Sequence, residues 1–147
     1  MDIADLLAER EIYRNLVQFA QAMDDRNWAL LDDVTTADIA ADLGTGKLSG
    51  RADMVAVMRQ FLDQCGTTQH MLGNVLIDIN GDTARSQAYV ADMHLGGEGA
   101  DDITFRTLGR YLDKWCKVDG RWLMCERVKE NRATVGSLAV FGFGQGT

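Results

Sequence analysis

Apolar positions recur at three- and four-residue steps along the first part of the chain: Ile3, Leu6, Leu7, Tyr13, Leu16, Val17, Ala20 and Met23. That spacing predicts an amphipathic helix over residues 2–24. "NWALLDDV" reads as a second, short helix with Asp25 or Asn27 as its cap. "ADIAADLG" and "GKLSG" suggest a short strand pair about a glycine turn. "SGRADMVAVMRQFLDQCG" reads as a third helix, with Ser49 as cap and Gly66 as stop. From His70 the period changes to two. Strands are expected over His70 to Ile79 and Thr83 to His94, joined by the hairpin signal "NGD". A loop, "GGEGADD", leads to "ITFRTLGRYLDKWCKV", and a turn at "DGR" leads to "WLMCERVKE". Helices followed by an antiparallel meander make an α+β fold. A long twisted sheet of this kind curls around its helices and encloses a pocket.

The chain has 147 residues and no linker, repeat or low-complexity block, which suits one domain over 1–147. Its last stretch, residues 133–147, carries Leu138, Val140, Phe141 and Phe143 among glycines. Left free, that tail would hold apolar surface in water, so it is expected to pack as a lid or against a neighbouring subunit. A net charge of −7 offers no basic face for nucleic acid. No leader-like segment or membrane-length apolar run is present, so no membrane partner is expected. Cys65, Cys116 and Cys125 are an odd set without metal-type spacing. They read as reduced thiols without a catalytic role, in keeping with the cytoplasm.

Three residues stand out chemically. Asp24 continues the Tyr13, Val17, Ala20 stripe by one helical step, so its carboxylate should face the apolar side while Asp25 faces away. A buried carboxylate is costly without compensation, and acids at a helix C-terminus oppose the macrodipole. A solvated helix end is the plainer alternative. His70 is placed on one strand face with Leu72, Asn74 and Leu76, where a histidine and an asparagine interrupt apolar positions. It is either a structural histidine or part of a site. His94 ends a face of small residues, Ala84, Ser86, Ala88, Val90 and Asp92, as expected where a strand lines a cavity. Asp92 and His94 could equally be an exposed strand end. The hairpin length would bring the two histidines together. No HxH or HxxxH spacing pre-organises metal ligands, "GFGQG" has no helix after it to form a phosphate loop, and no serine sits in a nucleophile elbow.

The succession "EIYRNLVQFAQAMDDRNWALL", "TTQHMLGNVLIDINGDTARSQAYVADMHL" and "LGRYLDKWCKVDGRWLMCERV" resembles the SnoaL-like branch of the nuclear transport factor 2-like superfamily, over roughly residues 5–130. The resemblance implies a cone-shaped fold with a deep, mostly apolar pocket. It is similar to scytalone dehydratase, bile-acid dehydratase and hexachlorocyclohexane dehydrochlorinase, which eliminate without cofactors through an aspartate–histidine pair. Carried over, that pair is Asp24 and His70, with His94 as a second catalytic histidine. Expected substrate contacts are Tyr13, Phe19, Asn74, Tyr111 and Arg127. Phe19 stands where the bile-acid enzyme has a catalytic tyrosine, so the proton donor would be Tyr13, Tyr111 or His94 instead. The implied activity is that of a lyase acting on a hydrophobic, aromatic or polycyclic small molecule and releasing water or another small fragment. A ketosteroid-type isomerase or a binding or oxygenase small-subunit-like protein is the alternative. A homotrimer is expected by the same resemblance, or else a dimer.

Overall fold

The structure, a computed structural model, describes residues 1–100 and 102–142. Phe143 of the apolar tail therefore lies outside the described residues. Helix α1 (Ile3–Asp24) opens on Asp2, whose carboxylate accepts from the Asp5 N–H while Asp5 reaches back to the Asp2 N–H. This reciprocal cap satisfies donors that the first turn otherwise leaves unpaired. A 3₁₀ turn (Trp28–Asp33), β1 (Thr35–Asp42), β2 (Lys47–Ser49) and α2 (Arg51–Leu62) follow. Four long strands come next: β3 (Cys65–Asn80), β4 (Thr83–Gly96), β5 (Thr104–Val118) and β6 (Arg121–Gly136). A last 3₁₀ turn covers Leu138–Phe141.

The six strands form one sheet in the order β2-β1-β6-β5-β4-β3. All neighbours are antiparallel except β1 and β6, which run parallel. The sheet's inner face packs on the helices. Ile12, Leu16, Phe19 and Met23 of α1 meet Trp115, Trp122 and Met124 of β5 and β6 in one core. Burying an aromatic or branched side chain of this size stabilises by roughly 1.5–3 kcal/mol. Trp115 is closed off completely, and its indole N–H donates to Ser86 Oγ at 2.8 Å.

Several expectations need correction. The buried stripe of α1 runs through Ala8, Ile12, Leu16, Phe19 and Met23, while Ile3, Leu6, Leu7 and Tyr13 face outward. The sheet covers only that stripe, so Tyr13 is 45% exposed and takes no part in the interior. Ser49 belongs to β2; the cap of α2 is Gly50, at a positive φ, and the helix stops at Asp63 rather than Gly66. Asn27, not Asp25, caps the 3₁₀ turn, and does so without a side-chain bond; Asp25 closes α1. Strand β3 begins at Cys65, five residues ahead of the expected start at His70, and β6 continues to Gly136.

The pairing of β3 with β4 slips between Gly73 and Leu76, with Asn74 at φ 51. Asparagine tolerates that left-handed region, and the extra residue makes a bulge. Beyond it the inward positions are Val75, Ile77 and Ile79, so Asn74 and Leu76 point out. The Asn74 side chain consequently does not share a face with His70.

Candidate active site

Asp24 is the last residue of α1, and it is held from three sides. Its Oδ1 lies 2.6 Å from His70 Nδ1 and accepts from the Thr68 hydroxyl at 3.0 Å. Its Oδ2 accepts from the His70 backbone N–H at 2.9 Å. Arg26, at φ 53, turns the chain back beneath the helix end. Its guanidinium donates to the Met23 carbonyl at 2.7 Å, to Thr68 Oγ1 at 2.8 Å and to the Gly66 carbonyl at 2.9 Å. The unpaired carbonyls at the helix end thus gain a cation, which also offsets the acid there.

Burial works against the Asp24 charge. The hydrogen bonds and charge of His70, with the Thr68 hydroxyl, outweigh it and hold the carboxyl below its usual range. An ionised Asp24 can only accept, so His70 Nδ1 carries hydrogen, and in the neutral ring the lone pair is on Nε2. The His70 side chain is 4% exposed, against 20% for Asp24.

His94 lies on the neighbouring strand, its ring centroid 5.7 Å from that of His70 and nearly perpendicular to it. Its Nδ1 meets the Phe105 carbonyl at 3.1 Å. A carbonyl only accepts, so this nitrogen carries hydrogen as well. Burial is the largest influence on His94 and lowers its pKa, despite Asp92 nearby. The ring is therefore neutral at pH 7, with its one N–H committed. The expected role of His94 as proton donor does not fit that state; it is an acceptor.

Asp92, wholly buried, stands between the two rings. It is 4.0 Å from His70 Nε2 and 3.7 Å from His94 Nδ1. Its Oδ1 accepts from the N–H and hydroxyl of Thr107, and its Oδ2 from Lys129 Nζ at 2.6 Å. Burial would raise its pKa, but Lys129, Thr107 and His70 together pull it below the usual range. His70, Asp92 and His94 each offer one potential ligand atom within 4.8 Å of the others, a grouping that sequence spacing did not suggest. As a metal centre it fits poorly. A cation would have to displace the Lys129 ammonium from Asp92, and charge repulsion opposes that.

His70, His94, Thr107 and Lys129 line a cavity of about 550 Å³, within the range of small-molecule sites. Its walls are largely apolar, with Phe19, Met58, Phe61, Leu62, Phe105 and Phe141 among them. Phe141 packs edge-on against Phe61, Phe105 and His94, with centroids 5.0–5.4 Å apart, and forms part of the cavity wall. Tyr111 and Arg127 line it too, as expected. The Arg127 guanidinium lies 3.6 Å from the Tyr111 ring centroid and 4.2 Å from that of Phe19, and makes two bonds to buried Asp113. The three cysteines are free, and none lines the cavity. Cys116 and Cys125 approach to 2.8 Å between sulfurs across β5 and β6. No helix among the described residues is long and apolar enough to cross a membrane.

His70 and His94, with Phe19, Tyr111 and Arg127, thus line one cavity and Asp24 stands behind His70, whereas Tyr13 and Asn74 do not line it. Asp92, Thr107, Lys129 and Arg26 were not expected. One of them was visible as a pattern: Asp92 shares a face with His94 two residues on.

An uncharacterized protein of Mycobacterium tuberculosis, Rv2910c, is 28% identical over 131 residues, 88% of each chain. Among solved structures, one provisionally assigned as a scytalone dehydratase from Novosphingobium aromaticivorans superposes with a TM-score of 0.82 at 20% identity, covering 93% of this chain and 92% of that one. Hexachlorocyclohexane dehydrochlorinase superposes with a TM-score of 0.76 at 16% identity, covering 92% and 90%. The SnoaL-like domain model matches residues 4–128, and the chain belongs to that family, with the nuclear transport factor 2-like fold.

Proposed function

We propose that the chain is a cofactor-independent lyase that removes water or another small fragment from a hydrophobic, aromatic or polycyclic small molecule. The observation that carries this reading is the 2.6 Å contact of Asp24 with His70 Nδ1 at the edge of an apolar cavity. Asp24 fixes the tautomer, aims the ring and stabilises the imidazolium as it forms, while Nε2 acts as base. Such a base contributes about 10²–10⁴-fold. Asp92, 4.0 Å from Nε2, also favours the imidazolium. Since the N–H of His94 is committed to Phe105, the proton returned to the leaving group comes from His70. His94 offers its other nitrogen as an acceptor to a substrate hydroxyl. A dry cavity strengthens each of these interactions. The leaving fragment is water from a carbon–oxygen bond, or a small aldehyde from a carbon–carbon bond, in which case His70 takes the proton of the hydroxyl that becomes the aldehyde carbonyl and returns it to the carbon left behind.

A panel of aromatic and polycyclic β-hydroxy ketones, incubated in deuterated water and followed by mass spectrometry, tests the reading. Wild type should release water from at least one member, and His70→Gln should not. A product that loses no fragment and gains only deuterium would instead identify an isomerase. Equal turnover by the two proteins would refute the dyad.

A further inference from the structure

The strands that line the cavity differ chemically. His70 on β3 and His94 on β4 each have one ring nitrogen committed to a partner and the other left as an acceptor. On β5 and β6 are the donors Tyr111, Arg127 and Lys129. Tyr111 and Lys129 are direct partners in the β5–β6 register. Among the described residues the Tyr111 hydroxyl has no hydrogen-bond partner, although the residue is only 3% exposed. Burial is the main influence that pushes its pKa up, so it remains a donor. Tyr111 lines the cavity, so this hydroxyl is open to a ligand rather than sealed off unpaired.

Lys129 is built in deliberately. Its Nζ donates to Asp92 Oδ2 at 2.6 Å and reaches Thr107 Oγ1 at 3.4 Å. Two of its three N–H groups are so occupied, and the third is left for the cavity it lines. To get there the side chain crosses Gly109 of β5. A Cβ at that glycine would sit 3.2 Å from Lys129 Cε, 3.2 Å from Val90 Cγ1 and 3.1 Å from the Glu130 carbonyl. Both His70 Nε2 and Lys129 Nζ approach the same oxygen, Asp92 Oδ2, at 4.0 and 2.6 Å. A base and a charged donor that both line the cavity are thus held close together by one buried carboxylate.

We propose that Tyr111 and Lys129 form an oxyanion site, and that the substrate therefore carries a carbonyl beside the carbon from which His70 takes a proton. This rests on the reading of His70 as the base. His70 Nε2 takes the proton, the C–H electron pair becomes the enolate double bond, and the carbonyl π pair moves onto oxygen. Lys129 and Tyr111 meet the negative oxygen. The carbonyl then re-forms, the electron pair expels the leaving group from the β-carbon, and the imidazolium returns its proton to that group. No oxidant or further reactant is needed. Asp92 and Gly109 are positioning residues: Asp92 holds the ammonium, and Gly109 leaves its path open. Aimed donors of this type contribute about 10²–10³-fold each.

The test uses 4-nitrophenol, whose ionised form resembles an enolate and is seen by its own absorbance band. Wild type should bind the phenolate in preference to the phenol, lowering the probe's apparent pKa by about one unit or more. Tyr111→Phe, which removes a hydroxyl that supports nothing else in the fold, should reduce that preference about 10-fold. The Asp92→Asn, Lys129→Met double variant, which leaves no unpaired buried charge, should reduce it at least as much. Gly109→Ala should lower it by displacing Lys129, and His70→Gln should preserve it. Binding of the neutral phenol, no binding at millimolar probe, or wild-type preference in both Tyr111→Phe and the double variant would overturn the proposal. Phenolate preference without His70-dependent turnover would refute the base alone; turnover without phenolate preference would refute the oxyanion site alone.

Discussion

Replacing Asp24 by asparagine exchanges one carboxylate oxygen for an NH₂ group and should disable the dyad. The carboxylate accepts from His70 Nδ1, the His70 backbone N–H and the Thr68 hydroxyl, at 2.6, 2.9 and 3.0 Å. An amide has one oxygen for these three donors and brings two N–H groups of its own. If its nitrogen faces the ring, His70 Nδ1 must become the acceptor. The proton then moves to Nε2, and the base disappears from the cavity. If its oxygen faces the ring, the backbone N–H of His70 meets another donor. A charge-assisted bond is worth about 1.5–3 kcal/mol, and stability should fall by about 1–3 kcal/mol, or about 3–12 °C in Tm for a chain of this size. Turnover should fall about 10²–10⁴-fold. The tautomer is measured directly, without substrate, by ¹⁵N NMR of the imidazole nitrogens. Wild type should show hydrogen on Nδ1 of His70, and Asp24→Asn a mixture or an inversion. A wild-type ring with hydrogen on Nε2, or a variant spectrum unchanged from wild type, would refute the reasoning.

Other outcomes follow from the same structure. His94 has its folded-state pKa depressed by burial from a reference of 6.5, so the unfolded chain binds the extra proton first. Stability should therefore decline as pH drops through that reference, and His94→Gln should flatten the slope of Tm between pH 7 and 5. Asp24 and Asp92 both titrate below their reference of 3.8, so the stability they add is present above it and lost on further acidification; Asp24→Asn should remove its share, read by acid titration of circular dichroism. Because Lys129 already occupies Asp92, prolonged chelation should leave turnover unchanged, and loss restored by one divalent ion would contradict this. Deletion from Ser137 onward removes Phe141 from its contacts with Phe61, Phe105 and His94 and should raise KM more than it lowers kcat. Met71 and Leu108, with Met93 and Val135, leave neighbouring apolar positions exposed on the outer sheet face, so light scattering at micromolar concentration should give a trimer, or else a dimer, rather than a monomer.

How far the sequence showed this depends on the range of the interaction. The alternation from Ala84 to His94 is uninterrupted, and every inward residue expected of β4 is inward. In β3 the same rule gives the right face for His70 and Leu72 and the wrong one for Asn74 and Leu76. One residue in a left-handed conformation reverses the alternation beyond it. Asn74, followed by Val75, Ile77 and Ile79 in alternation, is the trace such a bulge leaves in a sequence. Tyr13 was misplaced for another reason. A helix of this composition has apolar residues on more than one side, and only the path of the sheet decides which stripe is covered.

The site residues divide along the same line. Asp24 and His70 could be singled out because each is anomalous within its own element: an acid at a helix end, a histidine on an apolar face. Lys129 is not anomalous. Lysine in a strand beside "KENR" reads as solvated, and its inward course becomes visible only when Gly109, from a different strand, supplies the gap and Asp92, from a third, supplies the countercharge. Arg26 likewise looks like a surface arginine until the entry of β3 brings Gly66 and Thr68 beneath the helix end. The parts that make Asp24 an effective partner of His70, and His70 a base with somewhere to send the charge it creates, are therefore long-range contributions. The dyad alone could belong to any reaction that begins with loss of a proton. Under the proposal above, the donors on β5 and β6 restrict the chemistry to a proton whose departing charge lands on oxygen.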